Sequence, residues 1–267
     1  MKKQRIISVL LAAALAASLT ACGNGNDTSS ESSSDTAAAA ETAETQPLED
    51  VEILNFTPPE TGEEIAVITV KDFGEIKIKL FPEECPLAVE NFKGLANMNY
   101  YDELIFHRVI PDFMIQGGDP KGNGTGGNSM WGGSFDGGVS DKLYHFTGAV
   151  AYANSGSTST NSSQFYIVDT DDDYLALGAH QDPATGEIKL YETFEEAGMS
   201  APKNVQDMYY EKGGVPYLDG SYTVFGQVFE GMDVVRAISQ VETDPSNDKP
   251  LQQVQMESVR IVEYTGE

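Results

Sequence analysis

The sequence predicts a mainly β domain, a closed antiparallel barrel or sandwich, behind a non-globular N-terminal stretch. Three observations carry this reading. Strand-like runs recur between residues 65 and 264 with only two helix-like segments among them. No regular alternation of strand and helix occurs, which argues against a parallel sheet. Residues 23–60 show no apolar periodicity that could build a packed face.

The globular pattern starts at Ile65. Ile65–Val70 and Glu75–Leu80 flank the turn Lys71-Asp72-Phe73-Gly74, and the second arm alternates polar with apolar residues. That is a β-hairpin with one buried face. Pro86 suits the first turn of a helix, and Leu87, Val89, Phe92 and Leu95 follow at helical spacing. Strand-like runs occupy 105–110, 112–116, 148–153, 164–169 and 222–229. Met232–Val241 reads as a second short helix and Val254–Tyr264 as the last strand. Ten glycines between 117 and 138 mark a long irregular loop, and the acidic, mixed stretch 170–214 reads as an insertion on a loop.

The N-terminus is an address. Lys2, Lys3 and Arg5 precede the apolar stretch Ile6–Leu19, whose 14 residues are too few for a comfortable membrane span and right for a signal peptide. Leu19-Thr20-Ala21-Cys22 resembles a bacterial lipobox, which implies cleavage before Cys22 and lipidation of its sulfur. The expected organisation is a lipoprotein signal peptide over 1–21, a lipid-anchored disordered acidic linker over 22–60, and a globular domain over 61–267. Between Arg5 and Lys71 there is no Lys or Arg, so the linker repels itself and stays solvated. The expected location is extracytoplasmic, at a membrane reached through Cys22.

Charge narrows the partners. Sixteen basic and 42 acidic residues give a net charge of −26. Such a surface repels phosphate backbones, so nucleic-acid binding is not expected. Two cysteines are too few for a disulfide framework, and Cys85, between Glu84 and Pro86, reads as a packing residue.

The chemistry is carried by Phe106-His107-Arg108-Val109-Ile110-Pro111-Asp112-Phe113-Met114-Ile115-Gln116-Gly117-Gly118-Asp119. This run resembles the signature of the cyclophilin family of prolyl isomerases, F-H-R-x-x-x-x-F-M-x-Q-G-G-D. Asn123–Gly127, Ala153-Asn154 with Ser163-Gln164-Phe165, and Leu218-Asp219-Gly220 with Val224-Phe225-Gly226 resemble further family blocks in the same order. The resemblance spans 64–267 apart from most of 170–214. It implies a closed eight-stranded antiparallel β-barrel capped by two α-helices, with the active groove on the outer face. It implies Arg108, Phe113 and Gln116 as catalytic residues. His107, Met114, Gly124, Ala153, Asn154, Gln164, Tyr166, Tyr217, Leu218 and Tyr222 are implied to bind substrate. Proline-containing polypeptides are the implied partners, acted on by a monomer without cofactor or metal. A module that grips proline segments through the groove and the 170–214 insertion is the alternative function.

Taken singly these residues say little, since an arginine near aromatics is usually a surface ion pair and a Phe-Met pair is usually core. Regular alternation would also send Phe113 and Met114 to opposite faces, so a shared slot requires a bulge or twist. Tyr217 stands where the family often has Trp, Tyr222 where it often has His, and Tyr166 where it often has Phe. The family implies tight binding of cyclosporin, and Tyr217 removes an indole donor from it.

Three other signals are discounted. Gly122-x-Gly124-x-x-Gly127 lacks the following helix that a dinucleotide site needs. Asp169, Asp171, Asp172 and Asp173 begin an EF-hand-like loop, but Tyr174 and His180 fill its glycine and glutamate positions. His107, His145 and His180 lack zinc-ligand spacing.

Overall fold

The predicted hairpin consists of β1 (Glu64–Val70) and β2 (Gly74–Leu80), paired antiparallel from Ile65↔Lys79 to Val70↔Gly74. Its turn is tight because Asp72 and Gly74 both take positive φ, at 67° and 125°. The structure is a computed structural model and describes residues 48–170, 177–181 and 188–266. The expected signal peptide, Cys22, the tether as far as residue 47 and Asp171–Asp173 lie outside the described residues.

The remaining elements follow in chain order. Helix α1 (Pro86–Asn97) precedes β3 (Ile105–Phe106), β4 (Arg108–Ile110), β5 (Met114–Gly117), β6 (Ala149–Tyr152) and β7 (Phe165–Val168). The short strands β8 (Ala179–Gln181) and β9 (Ile188–Leu190) pair with each other, followed by α2 (Lys203–Lys212). Then come β10 (Val224–Glu230), α3 (Met232–Ser239), the small pair β11 (Thr243–Asp244) and β12 (Lys249–Pro250), and β13 (Val254–Glu263).

Nine strands form one sheet in the order β3-β13-β1-β2-β10-β6-β7-β5-β4. Its two ends, β3 and β4, are one run of chain interrupted only at His107. The sheet therefore closes nearly completely on itself, and the expected eight-stranded barrel is met with its eighth strand split between two neighbours. The His107 amide still donates to the Gln116 carbonyl, 3.0 Å away, which stitches the break. Closure leaves little unpaired strand edge exposed.

Inward residues of the ladders are fully buried. Val109, Ile115, Ile167 and Val150 lie opposite one another in turn across β4, β5, β7 and β6. Aromatic rings fill the space between barrel and helix. Phe92 of α1 lies 5.1–5.4 Å from Tyr101, Phe165 and Phe225. Such pairs contribute about 0.5–1.5 kcal/mol each beyond area burial.

Helix α1 starts where Pro86 needs no N–H partner, as expected. Its buried stripe is Ala88, Val89, Asn91, Phe92, Leu95 and Ala96. Leu87 was expected on that stripe but is 48% exposed, because position 88 faces inward instead. Cys85 caps the helix N-terminus and is buried, and burial together with neighbouring Glu84 pushes its thiol up to about 11. It is a packing residue, not a nucleophile.

Two expectations are corrected. The barrel was to carry two helices and has three, because the insertion folds its own helix α2, ended by Gly213 at φ 70°. Leu177, Phe194, Val205 and Tyr209 of the insertion form a small core with Phe146, which precedes β6. The disordered linker was to reach residue 60, but 48–60 belongs to the domain. Val51 and Ile53 pack on that small core. Asn204 of α2 donates Nδ2–H to the Val51 carbonyl at 2.6 Å. Buried Asn55 donates to the Tyr144 carbonyl and to Gln227 Oε1, both at 2.9 Å, and accepts from the Tyr144 amide. A composition-based boundary cannot register one asparagine that satisfies buried backbone 89 residues away.

Candidate active site on the outer barrel face

Strand pairing assembles the site. Arg108 of β4 lies opposite Gln116 of β5, and Gln116 lies opposite Tyr166 of β7. Directly opposed residues share a face, and this row faces outward from the barrel core. The next row is Ile110, Met114 and Val168.

Phe113 escapes the alternation that should set it against Met114. The β4–β5 connection is Pro111-Asp112-Phe113, with Asp112 at φ 58°, and Phe113 returns its amide to the Ile110 carbonyl at 3.2 Å. Phe113 is thus a turn residue outside the pleat. Its ring stacks on Tyr217 at 6.3 Å, with 30° between planes. It packs on the core cluster that contains Met114, Tyr166 and Leu218. Met114 is only 2% exposed and Tyr217 44%. The apolar part of the site therefore has a covered floor of Met114, Tyr166 and Leu218, and a rim of Phe113 and Tyr217.

Arg108 is the cation. Its Nε donates to Asp248 Oδ2 at 3.2 Å, and its side chain is 41% exposed. Asp248 is placed by β4 itself, since the Val109 amide donates to the Asp248 carbonyl at 2.8 Å. Among the described residues, the two Nη groups have no protein acceptor. The ion pair orients the guanidinium while leaving its terminal donors available.

Gln116 donates Nε2–H to Gln164 Oε1 at 3.0 Å. Gln164 in turn donates to the carbonyls of Gly124 (3.1 Å) and Gly126 (2.7 Å). The glycine loop is thus moored to the site. Asp119 holds it from within by accepting the amides of Lys121, Asn123 and Gly124. Burial pushes that carboxyl up, but these donors outweigh burial and leave it below the usual carboxylate range. Gly118 sits at φ 82°, where a Cβ would collide with the Ser163 carbonyl.

The other expected residues divide. Ala153 continues the β6 edge, its amide donating to the Gln164 carbonyl at 3.0 Å. Asn154 holds the Ser221 carbonyl at 2.9 Å, so its amide is spent on the loop before β10. Tyr222 packs edge-on against Tyr166 at 5.9 Å. Gly124 is exposed. His107 is 5% exposed, and among the described residues neither ring nitrogen has a hydrogen-bond partner. Burial, followed by the cations Arg108 and Lys249, holds its pKa below the ordinary value, and Asp119 opposes them. A neutral, covered imidazole at the barrel seam is not positioned as an open binding surface.

Sequence reading missed four residues. Asp248 orients Arg108 from 140 residues away, and no local signal marks it. Buried His145 and Tyr209 form, with half-buried Asp219, a polar chain beneath Tyr166. Asp219 was noted only as part of a block, His145 only as an unlikely zinc ligand, and Tyr209 not at all.

A nearly closed antiparallel barrel with an arginine, a glutamine and an apolar floor on its outer face defines a prolyl isomerase of the cyclophilin class, and the chain belongs to that family. The family described as "Cyclophilin type peptidyl-prolyl cis-trans isomerase/CLD" matches residues 65–261. A Staphylococcus aureus (strain NCTC 8325 / PS 47) protein assigned as a peptidyl-prolyl cis-trans isomerase is 40% identical over 200 residues, covering 75% of this chain and 93% of the relative. A Streptococcus pyogenes protein assigned as a bifunctional phosphatase/peptidyl-prolyl cis-trans isomerase is also 40% identical, over 203 residues, and this chain spans 39% of its length. A crystal structure of a Cryptosporidium parvum cyclophilin-type isomerase, obtained in the presence of the dipeptide Ala-Pro, superposes with a TM-score of 0.53. It is 26% identical, with 75% of this chain and 99% of that one covered.

Proposed function

We propose that this cyclophilin-type isomerase works outside the cytoplasm, accelerating rotation about X–Pro bonds in exported proteins while held at a membrane by lipid on Cys22. The observation that carries the chemistry is the outer-face row Arg108–Gln116–Tyr166 beside Phe113 and Met114.

Rotation about an X–Pro bond faces a barrier of roughly 18–20 kcal/mol because the amide is conjugated. Twisting the bond localises the nitrogen lone pair. No nucleophile is needed. A catalyst needs an apolar seat for the pyrrolidine, an anchor for the flanking backbone, and a cation at the prolyl nitrogen. Groups that stabilise the twisted amide more than either planar form lower the barrier.

In this reading the Arg108 Nη groups meet the prolyl nitrogen, with Asp248 fixing their approach. Phe113 and Tyr217 form the walls of the proline seat, over a floor of Met114, Tyr166 and Leu218. Gln116, steadied by Gln164, anchors the substrate backbone. Ala153 and Asn154 border the chain preceding proline, and Gly124 and Tyr222 lie at the periphery. The enzyme acts as a monomer.

The membrane reading rests on residues 1–22. Removing 1–21 takes away three basic residues and no acidic one, so the net charge moves from −26 to −29. Anionic lipid then repels the chain, and acyl chains must hold it, at about 0.8 kcal/mol per buried methylene.

Exchange spectroscopy on an Ala-Pro peptide with the full chain tests the enzymatic reading. Catalysed cis–trans exchange that Arg108→Ala abolishes supports it, and an unchanged rate in that variant excludes the mechanism. Metabolic labelling with a fatty acid that Cys22→Ser abolishes tests the anchor.

A further inference from the structure

A polar chain, buried at Tyr166, His145 and Tyr209 and partly exposed at Asp219, runs from the site floor into the insertion. Tyr166 Oη lies 3.0 Å from His145 Nε2, and His145 Nδ1 lies 2.8 Å from Asp219 Oδ1. Tyr209 Oη donates to Asp219 Oδ2 at 2.6 Å. Tyr209 belongs to α2, inside the insertion.

A carboxylate accepts and does not donate, so the Nδ1–H of His145 donates to Asp219. In the neutral tautomer this leaves Nε2 as the acceptor of the Tyr166 hydroxyl. Burial pushes the Tyr166 hydroxyl well above its ordinary range, so it remains a donor. The second Asp219 oxygen is filled by Tyr209, whose hydroxyl is likewise raised by burial and by the Asp219 carboxylate.

Residue 145 also clamps the turn that carries the site rim. Its amide donates to Asp219 Oδ1 at 2.9 Å, and its carbonyl accepts the Val215 amide at 2.9 Å. Between those two anchors lie Tyr217, which stacks on Phe113, and Leu218 of the floor. One histidine thus fixes both the Tyr166 ring and the 215–219 turn. The fixing passes through Asp219 to α2.

We propose that His145, Asp219 and Tyr209 are positioning residues for the prolyl isomerase groove, so that the 170–214 insertion is a structural part of the substrate seat rather than a separate partner-binding arm. The proposal rests on the isomerase reading. A ring-only role for Tyr166 would make its hydroxyl dispensable. In this chain the hydroxyl is one end of a relay whose other end is helix α2 of the insertion.

The test uses the full chain and an Ala-Pro peptide, at a temperature where circular dichroism shows each variant folded. Tyr209→Phe keeps the ring and removes only the hydroxyl that holds Asp219. It should raise KM about fivefold with kcat little changed, as expected for one lost hydrogen bond in the support of a binding surface. Tyr166→Phe should do the same, and the double variant should be no worse than the more impaired single one, since both break one chain. Tyr209→Phe kinetics equal to those of the parent, or effects that simply multiply, would overturn the proposal. Should Tyr209→Phe not fold, long-range nitrogen–proton spectra of the unsubstituted protein still decide. A His145 imidazole protonated on Nδ1 supports the relay, and one protonated on Nε2 alone refutes it. Absence of catalysis by the unsubstituted chain would sink the isomerase reading, and the positioning role with it.

Discussion

Arg108 and Gln116 are direct cross-strand partners in the β4–β5 ladder, although eight positions of sequence separate them. The hairpin turn that pairs them also lifts Phe113 out of the pleat. A single local structure therefore sets the positions of Arg108, Gln116 and Phe113.

Arg108→Ala should lower kcat/KM for Ala-Pro isomerisation by about 10²-fold, the usual loss for one preorganised charge-stabilising donor. The melting temperature should barely move, because a half-exposed ion pair such as Arg108–Asp248 contributes at most about 1 kcal/mol. Arg108→Lys should recover little, since an ammonium lacks the planar fork that holds Asp248 through Nε while two further nitrogens face the groove. Catalysis retained in both variants would contradict the role given to the guanidinium.

Tyr217→Trp should restore an indole N–H at the rim and tighten cyclosporin binding by about tenfold, the equivalent of about 1.4 kcal/mol. Inhibition of peptide isomerisation by cyclosporin measures it. Equal inhibition of parent and variant would show that the rim residue does not govern that ligand.

Asn55→Ala should destabilise the fold by about 2–4 kcal/mol. It leaves the Tyr144 carbonyl, the Tyr144 amide and Gln227 Oε1 each short of a buried partner. A chain beginning at residue 61 should lose at least as much, because it also uncovers the insertion core under Val51 and Ile53. Urea denaturation of chains starting at 46 and at 61 would reveal the difference, and matching midpoints would return residues 48–60 to the linker.

Stability should fall with acid partly through His107. Its folded pKa is depressed by burial, so the unfolded chain binds the proton more readily. Below an unfolded pKa of about 6.5, protonation favours the unfolded state, and the His107 contribution is lost as pH drops from about 7 to 5. Thermal melts across that range should slope less steeply in His107→Gln than in the parent. Parallel slopes would assign the acid sensitivity to other groups.

Much of this was readable in the chain. The β1–β2 alternation, Pro86 before an apolar helical stripe and the Phe106–Asp119 block all express local periodicity or an unbroken motif. The first two predicted the β-rich domain, and the resemblance of the third to a family implied the barrel and the residues of its groove. What stayed hidden has a common cause. Asp248 against Arg108, Asn55 against Tyr144, and the chain Tyr166–His145–Asp219–Tyr209 join residues distant in sequence through single polar contacts. Such contacts leave no periodic trace. Even within the motif, the αL conformation of Asp112 was needed before Phe113 and Met114 could serve one surface.

By itself, then, the sequence determined the mainly β character and the position of the hairpins, because hydrophobic spacing and turn chemistry act over a few neighbouring residues. Only the tertiary structure decided that the eighth strand is shared across the seam at His107, that the end of the tether packs on the domain, and that the insertion reaches the site floor through hydrogen bonds. Those outcomes depend on which buried donors meet which acceptors once the barrel closes, and closure is a property of the whole chain.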